Sequence, residues 1–341
     1  MKVTFIIIAY NEEKTLPRLF NDIINQDYPH DLIEIILVDS LSNDSTNEIM
    51  KKFACKKNDF YKILVLKNSK KTLPCGWNVA LEKASGDLII RVDAHSTIPV
   101  DFIRNNVECI RSGEKVCGGY RPNIIDDETP WKRTLLLAEQ SMFGSSIASY
   151  RRNSKKRYVS SIFHGAYCKE VFDKIGKYNE NLARTEDNEM HYRIKKAGYK
   201  ICFDPKIISY QHTRNSLKKM LKQKYLNGYW IGLTLSVCPN CISLYHLIPF
   251  IFLLSIILTG ILRFYGQTFL FNLMWGSYLT LNIIMSAISI KNKSFKINYL
   301  TLPILFLLLH LSYGYGTLIG LINIPKFKKD IKLNLEDYNG D

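Results

Sequence analysis

The 341-residue chain has no internal repeat and no low-complexity tract, so neither a solenoid nor a linker protein is expected. Before about residue 240 it has no apolar run long enough to cross a bilayer, a core that takes roughly 20 residues as helix. Its opening does not have the form of a cleavable signal peptide, because Met1-Lys2 leads into one short apolar run that breaks at Asn11-Glu12-Glu13; the front of the chain is expected to stay in the cytoplasm. Acidic residues are scarce beside basic ones, 31 against 46, giving a formal charge of +15. A surplus of that size suits nucleic acid, anionic lipid or a phosphorylated substrate. The eight cysteines are read as free packing thiols rather than disulfides or zinc ligands.

From about residue 240 to 322 the chain is almost continuously apolar. A soluble front and a membrane-seeking back are therefore expected: a catalytic domain over 1–230 with an interfacial helix near 215–230, a membrane region over 231–322 and a polar tail over 323–341. With that tail present, lipid and phosphorylated substrate are favoured as the causes of the charge, and nucleic acid is not an expected partner. The basic run Arg151, Arg152, Lys155, Lys156 and Arg157 reads as a solvated loop or a contact with lipid headgroups.

In the front, apolar runs alternate with helical spacing. Strands are predicted over Val3–Ile8, Ile33–Val38, Lys62–Leu66 and Leu88–Val92, with helices between them, one opened by Pro74. Further on, helices are predicted over Pro130–Ser141 and Glu186–Lys196, and strands over Val159–Phe163 and Lys200–Phe203. The alternation gives an α/β class with a mostly parallel sheet covered by helices on both faces. Ligands of such sheets bind beyond the carboxyl ends of the strands. The polar clusters Tyr10-Asn11-Glu12, Asp39 to Thr46 and Asp93-Ala94-His95 each stand where a predicted strand ends.

Alternation along an extended segment points Asp93 and His95 the same way, so both can address one divalent ion or a metal-bound diphosphate. Asp39 is placed to accept hydrogen bonds from a ribose or base edge, while Asp44 and Ser45 serve equally well as helix caps. Glu186 and Asp187 open a helix, where the macrodipole alone accounts for acidic residues. The pair also permits one carboxylate to act as general base with the other orienting it. Gln211-His212-Thr213-Arg214 precedes an apolar and basic stretch, and His212 and Arg214 are candidates to reach a diphosphate from the membrane side.

Taken together these motifs resemble glycosyltransferase family 2. The resemblance runs over Ile7-Ile8-Ala9-Tyr10-Asn11-Glu12, Asp39 to Thr46, Gly76-Trp77-Asn78-Val79-Ala80, Asp93-Ala94-His95 and Thr185-Glu186-Asp187, in the family's order. The variant with His164-Gly165-Ala166 and a hydrophobic tail is similar to membrane-anchored, succinoglycan-type enzymes of exopolysaccharide assembly. The resemblance implies a GT-A fold and an inverting displacement. It implies a nucleotide diphosphate sugar, a UDP-sugar by expectation, as donor, and Mg²⁺ or Mn²⁺ as cofactor.

On the same footing it assigns Ala9, Tyr10, Asn11, Glu12, Asp39, Asn78, Arg91, Asp93 and Arg214 to the nucleotide sugar, and Asp93, His95 and His212 to the metal. His164, Gly165 and Ala166 fall to the acceptor, and Asp187 with Glu186 to catalysis. The Gln-x-x-Arg-Trp motif of processive synthases is absent, since Asn215 follows Arg214, which argues for adding one sugar.

Three apolar segments, Ile242–Leu262, Phe269–Ile290 and Leu300–Leu321, give a count of three spans in a plasma or inner membrane. Lys291, Lys293 and Lys296 suit a cytoplasmic loop. Lys326, Lys328 and Lys329 would then lie outside if the third segment crosses fully, and His310 with the Gly314-Tyr315-Gly316 break admits a re-entrant segment, with helix packing the favoured role for the glycines. The expected acceptor is a lipid-linked saccharide at the surface of that membrane, with membrane lipids as partners. The rival readings are a polyprenyl-phosphate glycosyltransferase and a non-catalytic glycolipid-binding or export subunit.

Overall fold

The computed structural model describes residues 1–56, 59–144, 155–213 and 216–339. It divides into two compact units, Met1–Ile124 with Ala148–His212, and Ile125–Ile147 with Thr213–Asp341. This differs from a single cut at residue 230. The segment after Ile124 and the helix after Thr213 both pack with the C-terminal helices, because their apolar faces have partners there. Arg151, Arg152 and Arg214 lie outside the described residues.

The first unit begins β1 (Val3–Ala9), α1 (Leu16–Ile24), β2 (Ile33–Asp39), α2 (Thr46–Cys55), β3 (Lys62–Lys67), α3 (Leu73–Leu81) and β4 (Leu88–Asp93). It continues through β5 (Ser96–Thr97), α4 (Phe102–Arg111), β6 (Val116–Tyr120) and β7 (Asn123–Ile124). After α5 (Pro130–Gln140), which belongs to the second unit, come β8 (Arg157–Val159), β9 (Gly165–Cys168), α6 (Lys169–Ile175), α7 (Glu186–Lys196), β10 (Ile201–Ile208) and β11 (Tyr210–His212).

Eight strands form one sheet in the order β3-β2-β1-β4-β9-β6-β10-β8. The β3-β2-β1-β4 half is parallel throughout. In β1 and β2 every residue is buried, as a strand covered on both faces requires. One apolar cluster packs Phe5, Ile7, Ile35, Leu37, Ile90 and Val92 under α1, α2 and α4. The opposite cluster packs Ile6, Ile8, Ile36 and Val38 with Trp77, Met190 and Ile194 under α3 and α7. Between strand ends, the fully buried Glu34 carboxylate accepts hydrogen bonds from Thr4 Oγ1, the Ser85 amide and Ser85 Oγ at 2.7, 2.8 and 3.0 Å, which satisfies a group that would otherwise be costly to bury.

Two details of the second half depart from expectation. The predicted strand over Val159–Phe163 is instead two strands: β8 ends at Val159, and the chain re-enters the sheet at Gly165 as β9, antiparallel to both β4 and β6. Gly165 and Ala166 are therefore buried in the middle of the sheet. A smaller sheet orders β5-β11-β7 and links the segment after Asp93 to the end of the unit.

The second unit holds α5, α8 (Leu217–Thr234), α9 (Ile248–Phe264), α10 (Phe269–Ile290), α11 (Leu302–Ile322) and α12 (Ile324–Asn339). Three of its helical segments, Leu244–Phe264, Phe269–Ile290 and Ile297–Ile322, are long and apolar enough to cross a membrane. Helix α8 is not a separate amphipathic helix. Its glycines Gly228 and Gly232 meet Gly316, Thr317 and Gly320 of α11 so closely that a Cβ at Gly232 would stand 2.6 Å from the Thr317 carbonyl oxygen and one at Gly316 would strike the Tyr225 carbonyl. Small residues let two helix backbones approach in this way. Lys224 of α8 and Glu139 of α5 form a buried ion pair at 3.2 Å. All eight cysteines are free thiols, including Cys238 and Cys241, which stand in Cys-x-x-Cys spacing on a 3-10 turn.

Candidate functional site

Parallel pairing in register sets three polar clusters along one sheet edge. Ala9 pairs with Asp39 and Ile8 with Asp93, so β1, flanked by β2 and β4, delivers the loop at Asn11 between two carboxylates. The loops are stitched together by hydrogen bonds. The Asn11 amide donates to Ser42 Oγ at 3.0 Å, the Asn43 amide to Asn11 Oδ1 at 2.8 Å and the Glu12 amide to Thr46 Oγ1 at 2.7 Å. Asn11 has φ +56° and Leu41 φ +59°. An asparagine takes that conformation readily, but a leucine does so at a cost of about 1–3 kcal/mol. Leu41 is held there because Asp39 Oδ1 accepts the Ser42 amide at 3.1 Å. An open cleft of about 670 Å³ lies beside Asp39 and is lined also by Asn43, Asn47, Lys51, Lys67 and Lys71. Tyr10, just past the end of β1, is half exposed. The lining of this cleft does not include Asp93 or Asp187.

Asp93 closes β4 within a shell of cationic and hydrogen-bonding groups. Its carboxylate lies 3.7 Å from His164 Nε2, 3.9 Å from the Arg121 guanidinium and 4.0 Å from His95 Nε2. Burial opposes its charge, yet the His164 hydrogen bond and the neighbouring His164, His95 and Arg121 side chains hold its carboxyl far below the usual range. The Asp93 amide also lies 3.3 Å from His164 Nε2, and His164 Nδ1 lies 2.8 Å from Ser209 Oγ. Burial lowers His164 to about 4, so it stays neutral at neutral pH. His164 is thus a buried brace for Asp93. His95 Nδ1 lies 3.2 Å from Glu12 Oε1, which ties the end of β4 to the β1 loop.

His212 is brought to the same edge by the small sheet. Its Nε2 lies 2.8 Å from Thr97 Oγ1, and the antiparallel register that pairs Gln211 with Ser96 carries His212 towards His95. Among the described residues no three His, Cys, Asp or Glu side chains group closely enough to hold a metal by themselves. One ionised carboxylate with an adjacent imidazole fits a Mg²⁺ or Mn²⁺ that takes its remaining ligands from phosphate oxygens and water.

The remaining site carboxylates come from the first turn of α7. Glu186 is 3% exposed and stands 3.8 Å from the Arg91 guanidinium. Asp187 is partly exposed. Burial, and for Glu186 the neighbouring Asp187, raises both carboxyls above the ordinary range, while Arg91 acts the other way. Asp93 is close enough to add to the rise at both. A carboxylate of raised basicity is what a general base near neutral pH needs.

Two expected nucleotide ligands serve elsewhere. Arg91 is 3% exposed, packs over the rings of Trp77 and Tyr178, and donates to Tyr178 Oη at 3.2 Å. Asn78 spends its amide on the loop before α7, donating to the Tyr178 carbonyl and Glu180 Oε1 and accepting the Tyr178 amide at 2.9, 3.0 and 2.9 Å. Both hold protein partners around the carboxylate turn. One charged neighbour went unpredicted: Arg121, 2% exposed, lies over the Phe163 ring just after β6. An arginine directly past a strand end was its signal, in a stretch without clear periodicity.

A family model described as Glycosyl transferase family 2 matches residues 4–176. Over 329 residues the chain is 29% identical to dolichyl N-acetyl-alpha-D-glucosaminyl phosphate 3-beta-D-2,3-diacetamido-2,3-dideoxy-beta-D-glucuronosyltransferase of Methanococcus voltae, covering 94% of this chain and 97% of that one. It is 26% identical over 204 residues to succinoglycan biosynthesis protein ExoA of Rhizobium meliloti, covering 58% and 59%. The solved mannosyltransferase PcManGT from Pyrobaculum calidifontis, in complex with GDP-Man and Mn²⁺, shares the fold: TM-score 0.55 at 15% identity, over 93% of this chain and 87% of that one.

Proposed function

Because the chain belongs to glycosyltransferase family 2, we propose that this glycosyltransferase moves a sugar from a nucleotide diphosphate sugar, by expectation a UDP-sugar, to a hydroxyl of a lipid-linked saccharide at a membrane surface. One observation carries the reading: three adjacent parallel strands present Asp39, the Asn11-Glu12 loop and Asp93 along one edge, with Asp187 near enough to Asp93 to feel its charge. The M. voltae relative, similar over nearly its whole length, is named for transfer to a dolichyl-phosphate-linked amino sugar. That supports a saccharide already on lipid as acceptor, and cell-surface polysaccharide or glycan assembly as the setting.

In this reading the nucleoside rests in the cleft beside Asp39, with the loop of Tyr10, Asn11 and Glu12 above it. Asp93 and His95, with His212 alongside, would hold a divalent cation, which when bound neutralises charge on the leaving diphosphate. The acceptor oxygen attacks the anomeric carbon from the side opposite the diphosphate, and its proton passes to the Asp187 carboxylate. The bond from that carbon to the diphosphate oxygen breaks, and its electron pair leaves with the nucleoside diphosphate. Glu186, paired with buried Arg91, keeps the first turn of α7 in place. The configuration at the anomeric carbon is inverted.

The test is release of nucleoside diphosphate by purified protein from a panel of nucleotide sugars in the presence of a lipid-linked saccharide. Asp187→Asn is expected to lower turnover by about 10²–10⁴-fold with donor binding retained. An active variant would remove the base role and favour a lipid phosphate acceptor, which needs no base.

A further inference from the structure

We propose that only α9 and α10 cross the membrane, as a hairpin, and that α11 returns the chain to the face where α9 begins, so that α8 and α12 lie on one side. The inference rests on the reading of the apolar helices as membrane-embedded. Three complete crossings would leave the chain before α9 and the chain after α11 on opposite faces, about 30 Å of hydrocarbon apart. Yet Trp230 of α8 and Phe327 of α12 have ring centroids 6.0 Å apart. An odd number of crossings does not allow that contact unless α8 itself spans, and its first two turns carry the exposed Lys218, Lys219 and Lys222.

Other contacts single out α11 as the helix that turns back. Gly314, midway along α11, meets the Pro249 carbonyl in the first turn of α9 so tightly that a Cβ would clash, and that Cβ would also lie 3.2 Å from Leu253 Cβ. The middle of α11 is therefore at the level where α9 starts, whereas a full crossing from residue 297 would by then have carried it most of the way across. Its second half lies along α8 as far as Gly232. Burial agrees: 39% of the apolar window in Ile297–Ile322 is enclosed by protein, against 6% for Leu244–Phe264 and 17% for Phe269–Ile290. The two poorly covered helices are the ones facing lipid.

Charge supplies an independent argument. Lys291, Lys293 and Lys296 precede α11 and Lys326, Lys328 and Lys329 follow it, while the α9–α10 turn has one basic residue beside it, Arg263 in the last turn of α9. Lysine and arginine gather on one side of a membrane, and a returning α11 places all six lysines there against that single arginine opposite.

The test uses the full chain with an epitope tag at its N-terminus, a second at its C-terminus, or one inserted after Gly266, in sealed membrane vesicles treated with an impermeant protease. We expect the two terminal tags to be cleaved together or spared together, and the Gly266 tag to behave oppositely. Cleavage of one terminal tag with protection of the other overturns the inference while leaving membrane insertion intact. A Gly266 tag that follows both terminal tags overturns the hairpin, and carbonate extraction of the chain from the vesicles would then overturn the membrane reading of α9 and α10 as well.

Discussion

Among the described residues each unit contains an ion pair with both side chains buried, and these two pairs differ in what stands next to them. Arg91–Glu186 in the first unit is 4% exposed on both side chains, yet the adjacent residue, Asp187, opens towards solvent at the carboxyl edge of a sheet. Lys224–Glu139 in the second unit is as deeply enclosed, at 8% and 7%, and its surroundings are Leu135, Ala138 and Met220 among the apolar helices. Burial of charge does not by itself mark a reaction centre. In the first unit it sets the basicity of a neighbour, and in the second it fixes which helix faces meet.

The strongest way to break this comparison is Lys224→Met. Removing one member of a buried pair costs about 3–5 kcal/mol, so urea unfolding in detergent should show a loss of that order with turnover per folded molecule unchanged. Lys224→Met combined with Glu139→Leu should regain most of it, as apolar replacement of a whole buried pair is often neutral. A fall in turnover with full stability would place this pair in the chemistry and erase the contrast.

A smaller effect is expected in the first unit from Arg91→Met. Asp187 must be deprotonated to accept a proton, and burial raises its carboxyl, so turnover should fall with decreasing pH at a point above the ordinary carboxylate range. Arg91 is the neighbour that opposes this rise; without it the acid limb should move up by about one pH unit or more. A limb that stays in place would mean that Arg91 does not act on the base.

The smallest and most gradual effect is on stability. His164 is lowered to about 4 by burial, while in the unfolded chain it titrates near 6.5. Between those values the unfolded state binds the extra proton, so stability is lost as pH falls through that window. Below about 4 the depressed Asp93 carboxyl adds a second loss in the same direction. His164→Asn should flatten the first window and shrink the second, because His164 is the first of the neighbours that depress Asp93.

Much of the edge carrying Asp39 and Asp93 was legible, because β1, β2 and β4 are apolar runs that stop abruptly in polar clusters, and that stop is a physical signal of where a buried strand leaves the sheet. Arg91 misled for a related reason. In a strand covered on both faces, alternation no longer tells which face a charge occupies, and this guanidinium lies among aromatic rings under α3 and α7 instead of at the edge. Asn78 and His164-Gly165-Ala166 sit in motifs whose spacing is visible, but whether they meet a ligand or the fold depends on partners about 100 and 71 residues away in sequence. The lysines of α8 invited an interfacial assignment. Its glycine seam was equally visible, and its meaning appears only beside the matching seam of α11.

That seam sets an order of events during synthesis. Helix α8 leaves the ribosome before α9 and α10, yet the surface that fits Gly228 and Gly232 is supplied by α11, which is made after both. Until then α8 has an open groove on its side. A chain whose translation stops after α10 would leave Gly228 and Gly232 without the matching helix.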